Sequence, residues 1–139
     1  MDPTPESVLI IKMSSFGDII CALPTLRALC RRRPAPRIGW IVDQRFRELV
    51  EHDPDIDEVF ALDLRSITSA ARSPHRLRDA HAQVADLRAR LRASRFAVSL
   101  DLQGLLKSGV VSRLAGCPRN VQMAADHLRR QVDGRDRDG

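Results

Sequence analysis

Tyrosine is absent from the 139 residues, tryptophan occurs once and phenylalanine four times. A surface that stacks single-stranded bases needs such rings, so that class of binder is poorly supplied. Cysteine is scarce and odd in number. Cys21, Cys30 and Cys117 stand far apart and form no CxxC pair, so neither a disulfide framework nor a zinc knuckle is expected. A reduced, cytoplasmic protein is the simplest reading. No apolar run reaches the roughly 18 residues of a membrane-spanning helix. The opening Met1-Asp2-Pro3-Thr4-Pro5-Glu6 is acidic where an export signal carries basic charge and then an apolar run, which argues against export. Two nucleotide fingerprints are also lacking. There is no GxGxxG after a strand and no GxxxxGK[ST], which argues against an ordinary dinucleotide dehydrogenase or P-loop NTPase.

What is present is the composition of one soluble domain, 43% hydrophobic and 29% charged. The net charge of +5 is uneven. Residues 1–64 hold 8 basic and 11 acidic groups, residues 65–139 hold 15 and 7, so the balance passes from −3 to +8. Only Lys12 and Lys107 are lysine; every other basic residue is arginine. An arginine-rich half suggests anionic partners such as phosphates or an acidic membrane surface. Solvated helix faces are the simpler account of most of these arginines. No basic motif accompanies the charge, so a nucleic-acid partner is not expected.

Along the chain, short β-branched runs alternate with helical spacing. Ser7–Lys12 reads as a buried strand, Met13–Asp18 as a polar turn, and Ile19–Arg33 as a helix with Ile19, Ile20, Leu23, Leu26 and Leu29 on one face. Pro24 fits there within a first turn or at a kink. Arg37–Asp43 is a second strand, and a short helix over 44–51 turns Phe46, Leu49 and Val50 inward. Glu58–Leu62 is a third strand. Residues 63–74 show no period and read as a loop. His75–Ser94 is helical with Leu77, Ala80, Val84, Leu87 and Leu91 inward. Phe96–Asp101 is a fourth strand, Leu105–Ala115 a helix, and Asn120–Met123 a short fifth strand. This alternation predicts an α/β fold, a Rossmann-like parallel sheet with flanking helices. Arg129–Gly139 holds one apolar residue and reads as a disordered polar tail.

Open parallel sheets bind ligands beyond the carboxyl ends of their strands. Two loops stand at such ends, Lys12–Asp18 and Asp101–Lys107, and the two strands before them are expected to be neighbours. Lys12, Ser14, Ser15, Asp18, Gln103 and Lys107 would then line one crevice. Backbone N–H groups near Gly17 and Gly104 would open helices there and could receive an anion. Asp18 has two readings from position alone: a partner for the helix dipole, or a carboxylate facing the crevice that accepts a proton from a hydroxyl. Asp101 reads as the N-cap of the following helix.

The segment VLIIKMSSFGDIICALPTLRAL, residues 8–29, resembles the start of the lipopolysaccharide heptosyltransferases, glycosyltransferase family nine. SLDLQGLLKSGVVSRLAG, residues 99–116, is similar to the segment after their fourth strand. The pair K-x-S-S-x-G-D-I and D-x-Q-G-L-x-K-S at this separation carries the resemblance, which spans residues 7–128. It implies the N-terminal, acceptor-side half of a GT-B fold. It also implies transfer of heptose from ADP-heptose, the donor substrate, to the Kdo sugar of the lipid A core with inversion, and no metal or cofactor. Asp18 matches the family's general base, Ser14, Ser15 and Gly17 the loop that presents it, and Gln103, Gly104 and Lys107 the acceptor side, with Lys12 in the same crevice. The family's second, donor-binding domain has no counterpart, and the resemblance fades near Leu128. A truncated or frame-shifted reading frame is the expectation for that edge. The resemblance therefore implies a chain inactive alone, with a Kdo–lipid A acceptor, a second domain supplied in trans, and peripheral contact with the inner face of the cytoplasmic membrane. The alternative is a non-catalytic module that binds anionic glycolipid.

Overall fold

A computed structural model of the chain describes residues 7–103 and 106–122, except the side chains of 106–109. Five strands form one parallel sheet: β1 (Ser7–Ile11), β2 (Arg37–Asp43), β3 (Glu58–Leu62), β4 (Val98–Asp101) and β5 (Arg119–Gln122), in the order β3-β2-β1-β4-β5. β1 lies in the middle and all five of its residues are buried. A strand covered on both faces needs apolar residues at every position, and Val8-Leu9-Ile10-Ile11 supplies them.

The alternation of side chains sorts the core into two layers. Val8, Ile10, Ile38, Trp40 and Val42 pack with Ile19, Ala22 and Leu26 of α1 (Phe16–Cys30). Leu9, Ile11, Ile41 and Phe60 face the other way, toward Leu87 and Leu91 of α3 (Pro74–Ser94) and Val111 and Ala115 of α4 (Leu106–Ala115). Trp40 and Phe60 are fully buried; each such ring contributes about 1.5–3 kcal/mol by leaving water. The chain steps from β1 outward through β2 to β3, then returns to place β4 on the opposite side of β1. That reversal makes the carboxyl ends of β1 and β4 the switch point of the sheet. Ile11 pairs with Ile41 on one side and Asp101 on the other, so β1 and β4 end level while β2 runs two residues further, to Asp43.

Several sequence expectations need correction. Residues 63–74 are not a loop: α2 (Leu64–Ser69) and a 3-10 turn (Ala70–Arg72) fill them. Asp63 starts α2 by accepting the Ser66 N–H at 3.0 Å. A six-residue helix is too short to show a period, and Leu64 and Ile67 are its only contacts with the core. α1 begins at Phe16 rather than Ile19 and ends at Cys30, so the arginines at 31–33 lie at and beyond its cap. Pro24 lies in the interior of α1, past its first turn. Ile20 and Leu77 point to solvent, 42% and 59% exposed. Residues 44–49 form a 3-10 turn capped by Asp43, with Val50 buried behind it. α4 ends at Gly116, whose φ of 62° is the left-handed cap expected of glycine. The expected polar tail, residues 129–139, lies outside the described residues, as do the last six positions of the expected domain.

Candidate functional site

The loop after β1 and the loop after β4 meet at the switch point. Gln103 is drawn there because Asp101, buried at the end of β4, accepts the Gln103 N–H at 2.9 Å and turns the chain. Asp101 thus caps that turn and is not the N-cap of α4, which begins at Leu106. Gln103 Oε1 accepts the N–H of Met13 at 3.2 Å and of Ser14 at 3.4 Å. Lys12 Nζ donates to the Leu102 carbonyl at 3.1 Å, and Leu102 N–H to the Ile11 carbonyl at 3.1 Å. Of the expected site, Ser14 and Gln103 are therefore bonded directly, and Lys12 is tied to the same loop at Leu102.

The same loop is tied to β2. Trp40 Nε1 donates to the Lys12 carbonyl at 3.1 Å, Lys12 N–H to the Ile41 carbonyl at 3.3 Å, and Asp43 N–H to the Met13 carbonyl at 2.9 Å. Burial alone would push the Asp43 carboxyl up, but the Arg45 side chain at 2.9 Å and the Arg45 N–H outweigh it and hold it below its ordinary value. Sequence reasoning singled out neither Trp40 nor Asp43. The available signal was the one large ring with a polar atom in an otherwise aliphatic strand, followed by an acidic residue at the strand's end.

Ser15 is the N-cap of α1, and Gly17 and Asp18 lie in its first turn. The Asp18 carboxylate reaches back to Ser15. Its Oδ2 accepts the Ser15 N–H at 3.3 Å and the Ser15 hydroxyl at 3.0 Å. These bonds, backbone first, lower the Asp18 pKa against a small desolvation effect, and the Lys12 charge adds to them. Asp18 is thus an exposed carboxylate, ionised at neutral pH, at the positive end of a 15-residue helix. Apart from its chain neighbours and its own helix backbone, nothing comes within 4 Å of where a Cβ at Gly17 would stand, so the start of α1 is open at that position. Gly104 lies outside the described residues. Lys107 falls in the first turn of α4, with its side chain outside the described part.

Among the described residues no three His, Cys, Asp or Glu side chains converge as a metal-binding group. A groove of about 670 Å³ between the α2 region and α3 is lined mainly by Ile67, Ala70, Pro74, Leu77 and Val84. It is apolar and holds none of the strand-end residues, so the site is assigned by its chemistry and topology rather than by cavity size. Among the described residues no helix is long and apolar enough to cross a membrane.

No protein-family model matches the chain. Lipopolysaccharide heptosyltransferase 1 of Campylobacter coli is 31% identical over 107 residues, covering 77% of this chain and 28% of the relative. Among solved structures, the Escherichia coli heptosyltransferase WaaC with ADP superposes with a TM-score of 0.69 at 28% identity, over 84% of this chain and 34% of that one. A glycosyl transferase family 9 protein of Veillonella parvula gives 0.70 at 16% identity, over 88% and 33%, which bears on the fold alone. The chain spans 28–33% of the length of the curated relatives it matches. In sequence and fold the chain is thus related to the lipopolysaccharide heptosyltransferases, a glycosyltransferase family, and is similar to about a third of such a protein.

Proposed function

We propose that this chain is the acceptor-side portion of a glycosyltransferase that moves heptose from ADP-heptose to the Kdo sugar of the lipid A core. The observation that carries this is the position of Asp18: an exposed, ionised carboxylate in the first turn of α1, beside the loop at the sheet's switch point, inside the segment that resembles the family's opening motif. In this reading the acceptor hydroxyl gives its proton to Asp18 as its oxygen attacks the anomeric carbon. The bond from that carbon to the diphosphate breaks on the opposite face, ADP leaves, and the anomeric centre inverts. Both Ser15 bonds go to Oδ2, which leaves Oδ1 to receive the proton. A carboxylate with a lowered pKa is fully ionised at neutral pH, though a weaker base than an ordinary one. Lys12, and Lys107 in the family's acceptor segment, would meet the Kdo carboxylate or lipid A phosphates.

The isolated chain is expected to bind acceptor but not turn over donor, because the donor site belongs to the part of the relatives that the chain does not span. The reaction would then take place at the inner face of the cytoplasmic membrane, together with the part of such an enzyme that these 139 residues do not span. The test is a chimera in which residues 7–122 replace the matching third of the Escherichia coli relative. Heptose transfer to Kdo–lipid A is expected, and Asp18→Ala is expected to lower turnover by about 10²–10⁴-fold. Unchanged turnover would remove Asp18 from the chemistry. Turnover by the isolated chain would refute its inactivity. Acceptor binding that is salt-sensitive, with a chimera that never transfers heptose, would favour the glycolipid-binding module instead.

A further inference from the structure

We propose that Trp40 and Gln103 are positioning residues for Asp18: from β2 and from the loop after β4, on either side of β1, they fix the backbone of the loop whose last residue, Ser15, orients the carboxylate. This deepens the reading of Asp18 as the base and rests on it for its catalytic meaning. The geometry behind it comes from the molecule alone.

The loop's backbone groups are accounted for in order. Lys12 N–H goes to the Ile41 carbonyl, and the Lys12 carbonyl accepts from the Trp40 ring. Met13 N–H and Ser14 N–H both go to Gln103 Oε1, and the Met13 carbonyl accepts from Asp43 N–H. Ser15 N–H then goes to Asp18. A surface loop ordinarily leaves such groups to water; here consecutive residues are claimed by β2 on one side and the β4 loop on the other. Two of the anchors are side chains, so substitution can remove them without touching the sheet ladder.

The two side chains differ from ordinary core residues. Trp40 is fully buried and belongs to the α1 layer, but its Nε1–H can serve only as a donor, and it is spent on the loop. Phenylalanine would fill most of the same volume without that bond. Gln103 is only partly buried and belongs to neither core cluster. Its carbonyl oxygen takes two loop N–H groups at once, and methionine of similar length cannot. Losing Gln103 would release the Met13 and Ser14 N–H groups, and losing Trp40 the Lys12 carbonyl of the peptide that carries the Met13 N–H; either loss would reach the Ser15 geometry on which the two Asp18 bonds depend. Lys12, the charged neighbour of Asp18, is strapped to Leu102 by its own bond and remains in both variants.

The experiment is an NMR pH titration of the full chain, reading the Asp18 side-chain carboxyl carbon and the Ser15 amide proton that bonds it. In the parent chain the two should titrate together, below the ordinary aspartate range. In Gln103→Met and Trp40→Phe the Asp18 midpoint should rise by about 0.5 unit or more, and the Ser15 amide should stop following it. Phe60 and Leu91 resonances, deep in the opposite layer, should stay in place. If both variants fold and the titration is unchanged, the residues are merely structural and the proposal fails. Should Trp40→Phe not fold, the Gln103→Met result decides alone, since that side chain is outside the core. The readout involves no turnover. A chimera insensitive to Asp18→Ala therefore defeats the functional reading while leaving this result standing, and an unchanged titration does the reverse.

Discussion

Gly17 and Gly39 are both glycines beside functional or core groups, and they should answer the same substitution with opposite signs. A Cβ at Gly39 would come 2.3 Å from the end of the Phe96 ring. That ring is held in place by the edge of Phe60, 6.0 Å between centroids, and by the Arg37 guanidinium 4.4 Å above it. Phe96 cannot retreat without opening this stack, so Gly39→Ala should cost about 1–3 kcal/mol in urea unfolding. A smaller loss would mean the ring yields freely. A Cβ at Gly17 meets nothing, and the residue is in a helix, where alanine is favoured by up to about 1 kcal/mol. Gly17→Ala should therefore raise the melting temperature. If the chain takes the acceptor proposed for it, the substitution should also weaken binding of Kdo–lipid A vesicles, because the added methyl stands on the open side of the helix start next to Asp18. Stabilisation with unaltered binding would show that the acceptor does not approach across Gly17.

At the scale of elements, α1 carries an internal cost. Pro24 has no N–H to give the Ile20 carbonyl one turn back, and an interior proline costs a helix about 3 kcal/mol. Pro24 is exposed, so little packing is lost with its ring. Pro24→Ala is expected to raise stability, by up to that amount, in a denaturant titration. A loss would mean that the ring packs against something the exposure does not reveal. The same helix shows what was legible in the sequence. Its core residues, Ile19 and Leu26, follow from spacing, but its start did not, since Phe16-Gly17-Asp18 reads as a turn until Ser15 is seen to cap it. β2 and β3 were legible to the residue because each is a compact apolar run between polar ends. β4 was drawn two residues too long: Arg95 takes a left-handed conformation and the Ala97 N–H goes to the Ser7 hydroxyl at 2.9 Å, so the ladder begins only at Val98. α2 was missed because its helical turn is fixed by one capping aspartate and two core contacts, too few to make a pattern. For the site, the two loops and their meeting at adjacent strand ends were readable from order alone. The anchoring by Trp40 and Asp43 was not, because hydrogen bonds between a strand side chain and a neighbouring loop leave no periodicity.

For the whole molecule, the strongest ion-pair cluster joins α1 to the turn before β3. Arg27 contacts Asp53 through both of its terminal nitrogens, at 2.8 and 2.7 Å, and Asp55 at 2.5 Å. Asp53 also accepts the Asp55 N–H at 3.0 Å. Its Arg27 bonds, ahead of the opposing burial, hold the Asp53 carboxyl below its ordinary value of 3.8. A carboxyl lowered by folding binds fewer protons folded than unfolded across the interval between its two pKa values. The stabilisation is therefore complete above the ordinary value and is lost as pH falls through the folded one. Asp18 and Asp43 are lowered as well, so all three act in the same window, below about pH 5. Protonating carboxylates also drives the net charge further above +5, which adds self-repulsion. Arg27 is 41% exposed while Asp53 is 8%, so solvent screens part of the attraction and the pair is worth about 1–2 kcal/mol at neutral pH. Asp53→Asn should lower the melting temperature at pH 7 and flatten its fall between pH 5 and pH 2. The two curves should converge at the acid end, where the parent carboxylate is protonated too. Curves that stay parallel through that interval would place the coupling between α1 and the β3 turn in packing rather than in this charge.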